Sequence, residues 1–521
     1  MNTRATVTAD VPQTDAYYCE VPNEPCAIVM FGASGDLARR KLLPALYDLA
    51  VHACLAPRFR LLGYARTEMS DDDFRKKAGE FLPKSAGGDG GAGAADAGGQ
   101  DKLDEFVKHL HYFSGNYDDP AAFQRLSQRL EEIDREADLR GNRLFYLATP
   151  PDVYLKIIEQ IGKAGLAKPK SEKSWTRVII EKPFGHDKAS AEGLNAKVLS
   201  VFSENQVYRI DHYLGKETVQ NMLVFRFGNG IFEPLWNRNY IDNIQITAAE
   251  SLGVERRGGF YENTGALRDM IQSHVLQLTS LVAMEAPATF DATAVRNEKI
   301  KVLQSIRPFS AESIWKTVIR GQYGPGTVGG KQVPGYRQEP GVNPNSATET
   351  FVALKLYVDN WRWSGVPFYL RTGKRLARPT TEVAIEFKKA PHMVFQGENV
   401  ESNSLVLNIQ PDEGISLSFG AKAPGGHMQI RPVEMDFRYK QAFGGGSRDA
   451  YATLINDCIR GDATLFDRAD SVEAAWSLVD PILDAWKKGT PPPFPNYPAG
   501  SQGPKAADDL ITSDGRRWRA L

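Results

Sequence analysis

The sequence predicts an α/β Rossmann-type parallel-sheet domain followed by a larger α+β domain with an extended, mainly antiparallel sheet. Three observations carry that prediction. A continuous apolar run, AIVMF at 27–31, feeds directly into a glycine turn and a helix-like stretch through Leu49. Strand, turn, helix is the order of a dinucleotide-binding unit. Further apolar runs, FRLLGY at 59–64, one over 144–149 and RVII at 177–180, alternate with helix-like segments, as do strands buried on both faces of a parallel sheet. Beyond Pro340 the apolar period falls to two. Val383, Ile385 and Phe387 alternate with Ala384, Glu386 and Lys388, and Val433, Met435 and Phe437 with Glu434, Asp436 and Arg438. That pattern marks antiparallel strands with one buried face. The expected divisions are a flexible N-terminal arm over 1–25, a Rossmann-like domain over 26–211 and the α+β domain over 212–521.

Composition narrows the function. The 521 residues are 42% hydrophobic and 24% charged, an ordinary soluble profile with room for two or three domains. A formal net charge of -1 offers no global field for nucleic acid or an anionic membrane. An anionic ligand must then meet a local basic cluster. The first residues lack the apolar core of a signal peptide, and no apolar run is long enough to span a bilayer. A soluble, cytoplasmic protein is expected. Cys19, Cys26, Cys54 and Cys458 form no CxxC pair or zinc-type spacing, so neither a metal site nor a disulfide framework is expected, which fits a reducing cytosol.

The glycine turn reads GASGDLA at 32–38. Gly32 permits a tight turn, Gly35 lets backbone approach a pyrophosphate, and Ala38 lets helix pack on strand. Amides at the helix start would cradle the phosphates. The spacing is GxxGxxA rather than GxGxxG, so its place after an apolar strand gives it weight. Pro44 within the helical run suggests a kink or an early end. The strand over 59–64 leads to Ala65, Arg66 and Thr67, where a Rossmann unit meets the adenosine ribose. Arg66 and Thr67 are donors, which favours the extra phosphate of NADP; Glu68 leaves NAD possible. A helix is expected from Ser70 to about Leu82. The stretch AGGDGGAGAADAGG at 86–99 cannot pack a core and reads as a surface loop without a catalytic role. RVII ends in EKPFG, placing Lys182 at the carboxyl edge of a sheet strand, where open α/β sheets bind ligands.

The next stretch, RIDHYLGKE at 209–217, follows a short strand, QVYRI at 206–210. A helical turn after that strand would put His212 and Lys216 on one face, with Tyr213 beside them, a set suited to a phosphate. Asp211 would be free to orient a second histidine. The segment lies at the domain junction, a common place for a cleft. NIQITAAE at 243–250 reads as a strand ending in Glu250. An apolar-rich helix over 266–285 bears Arg268, Asp269, Gln272 and His274. Asp269 and His274 are five residues apart, about 140° round an ideal α-helix, so they can line one pocket only from different sides. By itself His274 reads as a satisfied core histidine. Helices follow near 449–459 and 471–488, and a coil-like tail begins at Pro491.

Four motifs occur in one order: GASGDLA, EKPFG, RIDHYLGKE and RDMIQSH at 268–274. Together they resemble the glucose-6-phosphate dehydrogenase family, as do FRFGNGIFEPLWNR at 225–238 and VPFYLRTGKRL at 366–376. The resemblance implies oxidation of glucose 6-phosphate to 6-phosphoglucono-1,5-lactone, with hydride passing to NADP, the first step of the oxidative pentose phosphate pathway. It implies His274 as general base and Asp211 as the carboxylate that orients it. His212, Tyr213 and Lys216 then bind the sugar phosphate. Glu250 and Asp269 hold sugar hydroxyls, and Lys182 and Lys374 approach the substrate. Gly32, Ser34, Gly35, Asp36, Leu37, Arg66 and Lys182 fall on the cofactor side. No metal is implied. Part of the family has a further basic residue after the lysine matching Lys374; here Ala377, Arg378, Pro379 and Thr380 follow in a different register. Some relatives hold a second, structural NADP near the antiparallel sheet. A homodimer or homotetramer formed through that sheet is implied by analogy. Two alternatives share parts of the pattern. A Rossmann sugar oxidoreductase with an EKP lysine gives no reason for the RIDHYLGKE basic cluster. A non-catalytic NADP-binding regulator has no need of His274 and Asp211 together.

Overall fold

Six parallel strands form the first layer, in the order Leu110–Ser114, Arg60–Ala65, Ala27–Phe31, Arg143–Leu147, Thr176–Ile180 and Val207–Arg209. The computed structural model describes residues 4–6, 19, 23–85, 99–392, 394–395, 400–425, 428–443 and 448–521. Of the glycine-rich stretch 86–99, only Gly99, which opens the helix Gly99–Lys108, falls among them. All of Ala27–Phe31 is buried, as its unbroken apolar run requires. Strand order reverses between Ala27–Phe31 and Arg143–Leu147, so the glycine turn after Phe31 sits at a topological switch point. After Phe31 the chain winds as a π-helix over Ala38–Leu42 and as an α-helix over Leu43–Val51. Pro44 lies in the first turn of the α-helical part, where its missing N–H is tolerated; it marks a change of winding.

Among the described residues the second sheet has nine strands. Their order is Arg4–Thr6, Ile430–Arg438, Gly414–Lys422, Ser404–Gln410, Thr380–Phe387, Ile241–Ala249, Pro367–Gly373, Phe351–Tyr357 and Val318–Gly321. Pairing is antiparallel except at Arg4–Thr6 on Ile430–Arg438 and at Ile241–Ala249 on Pro367–Gly373. In the second exception Ala249 is in register with Gly373, so Glu250 and Lys374 leave the sheet side by side. One face is covered by the helical run Leu267–Val275 and Leu276–Ala283, on which Ala469–Lys488 packs, in a core continuous with the nucleotide domain. Helix Ala450–Arg460 instead returns to the parallel sheet: Ala452, Leu454, Ile455 and Cys458 pack with Ile28, Met30 and Ile210. Among the described residues, no helix is long and apolar enough to cross a membrane.

Three expectations are corrected. The arm is not loose throughout, because Arg4–Thr6 adds a parallel strand to the large sheet. Cys19 and Cys54 form a disulfide, which the sequence spacing did not indicate: Cys19 lies at the end of the first helix, where its amide donates to His52 O. The C-terminal segment is not a coil. Tyr497–Pro498 pairs with Tyr323–Gly324, and Lys505–Thr512 is helical. Beyond it Arg516 clamps Asp242 at 2.7 and 2.8 Å, the Arg519 amide donates to Gln245 Oε1 at 2.9 Å, and Trp518 lies under the Arg371 guanidinium. Prolines made this stretch read as coil, yet its aromatic and charged side chains cover a sheet face.

Candidate active site

The strand Val207–Arg209 delivers Asp211 to the edge of the parallel sheet, and a tight turn follows. The helix begins only at Glu217, with Lys216 as its cap. His212 and Lys216 therefore do not share a helical face, contrary to the expectation for that segment. The turn gathers them by another route. Its Asp211 Oδ1 accepts the Tyr213 amide at 2.9 Å, which fixes the turn. The Lys216 ammonium lies 4.5 Å over the Tyr213 ring and bonds Gln410 Oε1. Gln410 also donates to Thr381 Oγ1 at 3.1 Å, and the Tyr213 hydroxyl meets the same oxygen at 3.5 Å. Burial pushes the Lys216 ammonium down to about 8, against the opposing pull of Glu413, Asp211 and Asp449.

His274 comes from the long helix of the second domain, and there the winding matters. Leu267–Val275 is a π-helix, whose i→i+5 bonding puts residues five apart on one side. Asp269 and His274 thus share a face, against the expectation drawn from an ideal α-helix. Lys182 holds both: its Nζ is 2.7 Å from His274 Nε2, 2.8 Å from Asp269 O and 3.3 Å from Asp269 Oδ1. The other ring nitrogen, Nδ1, meets Asp211 Oδ1 at 2.5 Å, with both side chains buried. An ammonium can only donate, so Nε2 is an acceptor and Nδ1 carries the proton toward Asp211. Tyr213 stacks on the imidazole at 4.2 Å, and His212 abuts it edge-on at 4.7 Å.

The electrostatics agree with a neutral imidazole beside a carboxylate. Burial lowers His274 from its ordinary value, aided by Lys182 and opposed by Asp211 and Asp269. His212 is pushed well down by burial and by His274. Burial would raise Asp211 and Asp269, but hydrogen-bonded and charged partners win at each. For Asp211 the largest opposing group is His274; for Asp269 it is Lys182, then Lys374. Both carboxyls end well below the usual range.

The structure also joins Lys374 to Glu250 through a salt bridge, with the Lys374 ammonium 5.1 Å over Tyr261. A hollow of about 150 Å³ adjoins the dyad, lined by Lys182, Asp211, Asp269, Arg268, Phe184 and Trp476 among others. Of the dyad only Asp211 lines it; His274, His212, Tyr213, Lys216, Glu250 and Lys374 are not in its lining. It flanks the group clasped by Lys182 and does not run through the whole cluster. Asp211, His212 and His274 come close enough in ligand atoms to hold a metal ion. A Lys182 ammonium on His274 Nε2 opposes a cation there.

On the cofactor side, Gly32 has φ +87°, and a Cβ there would lie 2.5 Å from Ala148 O, so the turn admits only glycine. Ser34 and Asp36 are exposed, Gly35 and Leu37 half-buried, at the start of the helical run, where amides favour phosphate. Asp36 is engaged by Arg39 and Arg40. Arg66 follows the strand Arg60–Ala65 and reaches over Tyr117 at 5.8 Å. The Lys182–Pro183 peptide is cis.

Sequence reasoning missed three participants. Gln410 lies in a strand that showed only apolar alternation. Tyr451, parallel to His212 at 6.2 Å, comes from a helix with no motif. Glu181 is buried, takes the Tyr146 hydroxyl at 2.6 Å, and is raised by burial to about 7; its place before Lys182 in EKPFG was the available signal.

Family models match nearly the whole chain. One described as glucose-6-phosphate dehydrogenase, NAD binding domain, matches residues 29–221, and one described as glucose-6-phosphate dehydrogenase, C-terminal domain, matches 223–519. Glucose-6-phosphate 1-dehydrogenase of Aggregatibacter actinomycetemcomitans is 49% identical over 95% of this chain and 97% of its own. The Bacillus subtilis enzyme of that name is 42% identical over 94% and 97%. A solved glucose-6-phosphate dehydrogenase in complex with its substrate glucose-6-phosphate superposes with a TM-score of 0.86 at 34% identity, covering 96% of this chain and 100% of that one. The crystal structure of glucose-6-phosphate 1-dehydrogenase from Mycobacterium avium gives a TM-score of 0.79 at 34% identity, covering 96% and 99%.

Proposed function

Because this chain belongs to the glucose-6-phosphate dehydrogenase family, we propose that His274 and Asp211 are the proton-accepting dyad of its reaction and that NADP is its hydride acceptor. The chain is an oxidoreductase. It oxidises glucose 6-phosphate to the 1,5-lactone, a step of the pentose phosphate pathway. The observation that carries the residue assignment is the clasp of His274 between Asp211 Oδ1 and Lys182 Nζ.

His274 Nε2 takes the proton of the anomeric hydroxyl as the C1 hydrogen leaves. Asp211 fixes the tautomer and stabilises the imidazolium that forms. Lys182, which occupies Nε2 here, turns toward the incoming hydroxyl and links substrate to cofactor edge. Lys216, with Tyr213, His212 and Gln410, holds the phosphate, so remote binding aligns the reacting carbon. Glu250, Asp269 and Lys374 receive ring hydroxyls. Bound NADP supplies the acceptor for the hydride. Gly32, Ser34, Gly35, Asp36 and Leu37 fit its phosphates, since only a turn without a Cβ passes Ala148 O. Arg66 fits the ribose 2′-phosphate, which sets NADP above NAD.

Residues 26–211 hold the cofactor and 212–521 the substrate. The large sheet is the face for self-association into a dimer or tetramer, and the protein works in the cytoplasm. The test is a spectrophotometric assay of purified protein with glucose 6-phosphate and each nicotinamide cofactor, with unphosphorylated glucose as control. Reduction of NADP with the phosphorylated sugar alone is expected; equal rates with glucose would reject the phosphate site.

A further inference from the structure

Asp211 presents two oxygens, and only one is used. Oδ1 receives His274 and the Tyr213 amide, while Oδ2 is buried with no hydrogen-bond partner among the described residues. Asp467 lines the same hollow as Asp211. It is joined to the strand that delivers Asp211: an isolated antiparallel bridge pairs Asp467 with Arg209, and the Asp467 amide donates to Arg209 O at 3.1 Å. That mechanical tie is made by backbone and needs no carboxylate.

The Asp467 side chain faces Lys299 of helix Ala292–Ser305 across 3.6 Å, and the two are 6% and 2% exposed. Among the described residues Asp467 Oδ1 has no closer hydrogen-bond partner. A buried ion pair of this kind adds little net stability compared with a neutral pair of the same shape. Its charges, however, act at short range on whatever lies beside them. Of the other charged groups here, the Arg209 guanidinium is already taken by Glu204 at 2.7 and 3.1 Å. Around His274 stand Asp211, Lys182, Asp269 and His212. Glu181, which takes the Tyr146 hydroxyl, and Lys216 also act on Asp211. Asp467 and Lys299 form a further charged pair beside it, one that the reaction outlined above leaves without a task.

We propose that Asp467 is a positioning residue for the dyad, its carboxylate balancing Lys299 beside Asp211 and so setting how strongly His274 holds the proton it receives. This rests on the assignment of His274 as base. The Asp211 carboxylate interacts with both members of the pair. Burial, opposed by Lys299, lifts Asp467 to about 6. Its charge therefore fades in mildly acid solution, leaving Lys299 uncompensated and making His274 harder to protonate as pH drops. The base would be kept free below the pH at which a fixed environment would silence it.

The isosteric Asp467→Asn variant mimics the protonated state permanently. Its kcat/KM profile should have an acid limb displaced by about half a pH unit to lower pH. Adding Lys299→Met should return that limb toward the wild-type position. NMR titration of 13C-labelled histidine reads the same displacement at His274 without turnover. An inactive wild type would sink the proposed function, while the titration still tests the pair. A limb and a His274 titration both unmoved in a folded Asp467→Asn protein would overturn the proposal. So would a double variant displaced further than the single one, which a mere staple would give. Should Asp467→Asn not fold, Asp467→Asn with Lys299→Met supplies the decision: a His274 titration more than one unit from wild type rejects the balance of charges.

Discussion

Asp269 and His274, five residues apart, stand on one face of Leu267–Val275 and are both clasped by Lys182. The π winding makes this possible, since i→i+5 bonding closes the angular gap that an α-helix would leave. The two side chains are thereby indexed to the same turn.

Replacing the base should separate chemistry from binding. His274→Asn is expected to lower kcat by about 10³-fold or more with KM for the sugar phosphate nearly unchanged. Steady-state kinetics decide it, and undiminished turnover would remove His274 from the role.

The pH profile carries a sign. Burial, with Lys182, lowers His274 from its ordinary value, so the neutral base persists into more acid solution than a free imidazole would. The acid limb of kcat/KM should fall below about 6.5, the unperturbed imidazole value. Rates measured across pH 4.5 to 8 test this; a limb above that value would contradict a buried neutral base.

Lys216 is proposed to hold the phosphate. Lys216→Ala should raise KM for glucose 6-phosphate by about 10- to 100-fold, the worth of a charged hydrogen bond. Affinity for the nicotinamide nucleotide, read by fluorescence titration, should stay put. A defect confined to the nucleotide would move Lys216 out of the phosphate site.

Arg66 is proposed to set cofactor choice. Arg66→Ala should weaken NADP use about tenfold while sparing NAD, because only the former carries a 2′-phosphate. Parallel kcat/KM measurements with both nucleotides settle it, and equal losses would refute the assignment.

Much of this was legible in the sequence because it depended on short range. Ala27–Phe31 is buried on both faces and so reads as an unbroken apolar run. Val383, Ile385 and Phe387 alternate because they belong to a sheet with two unlike faces. The turn after Arg209 was misjudged: a side chain bonding its own backbone, Asp211 to the Tyr213 amide, defeats a helical start. Winding number leaves no mark in composition, so Asp269 and His274 appeared to diverge. Gln410 and Tyr451 reach the site through strand register and helix docking, which are long-range facts. Cys19 meets Cys54 across 35 residues of sequence, a contact that local pattern does not encode.

The parallel pairing of Ile241–Ala249 with Pro367–Gly373 fixes Ala249 opposite Gly373. Glu250 and Lys374 therefore meet through alignment, whatever the contour length of chain between them. Lengthening the exposed hairpin at Gly329 and Gly330 should leave the meeting intact. One residue inserted between Phe368 and Gly373 would flip the lysine to the opposite side of the pleat. Along this edge, tolerance to insertion is a matter of parity rather than distance.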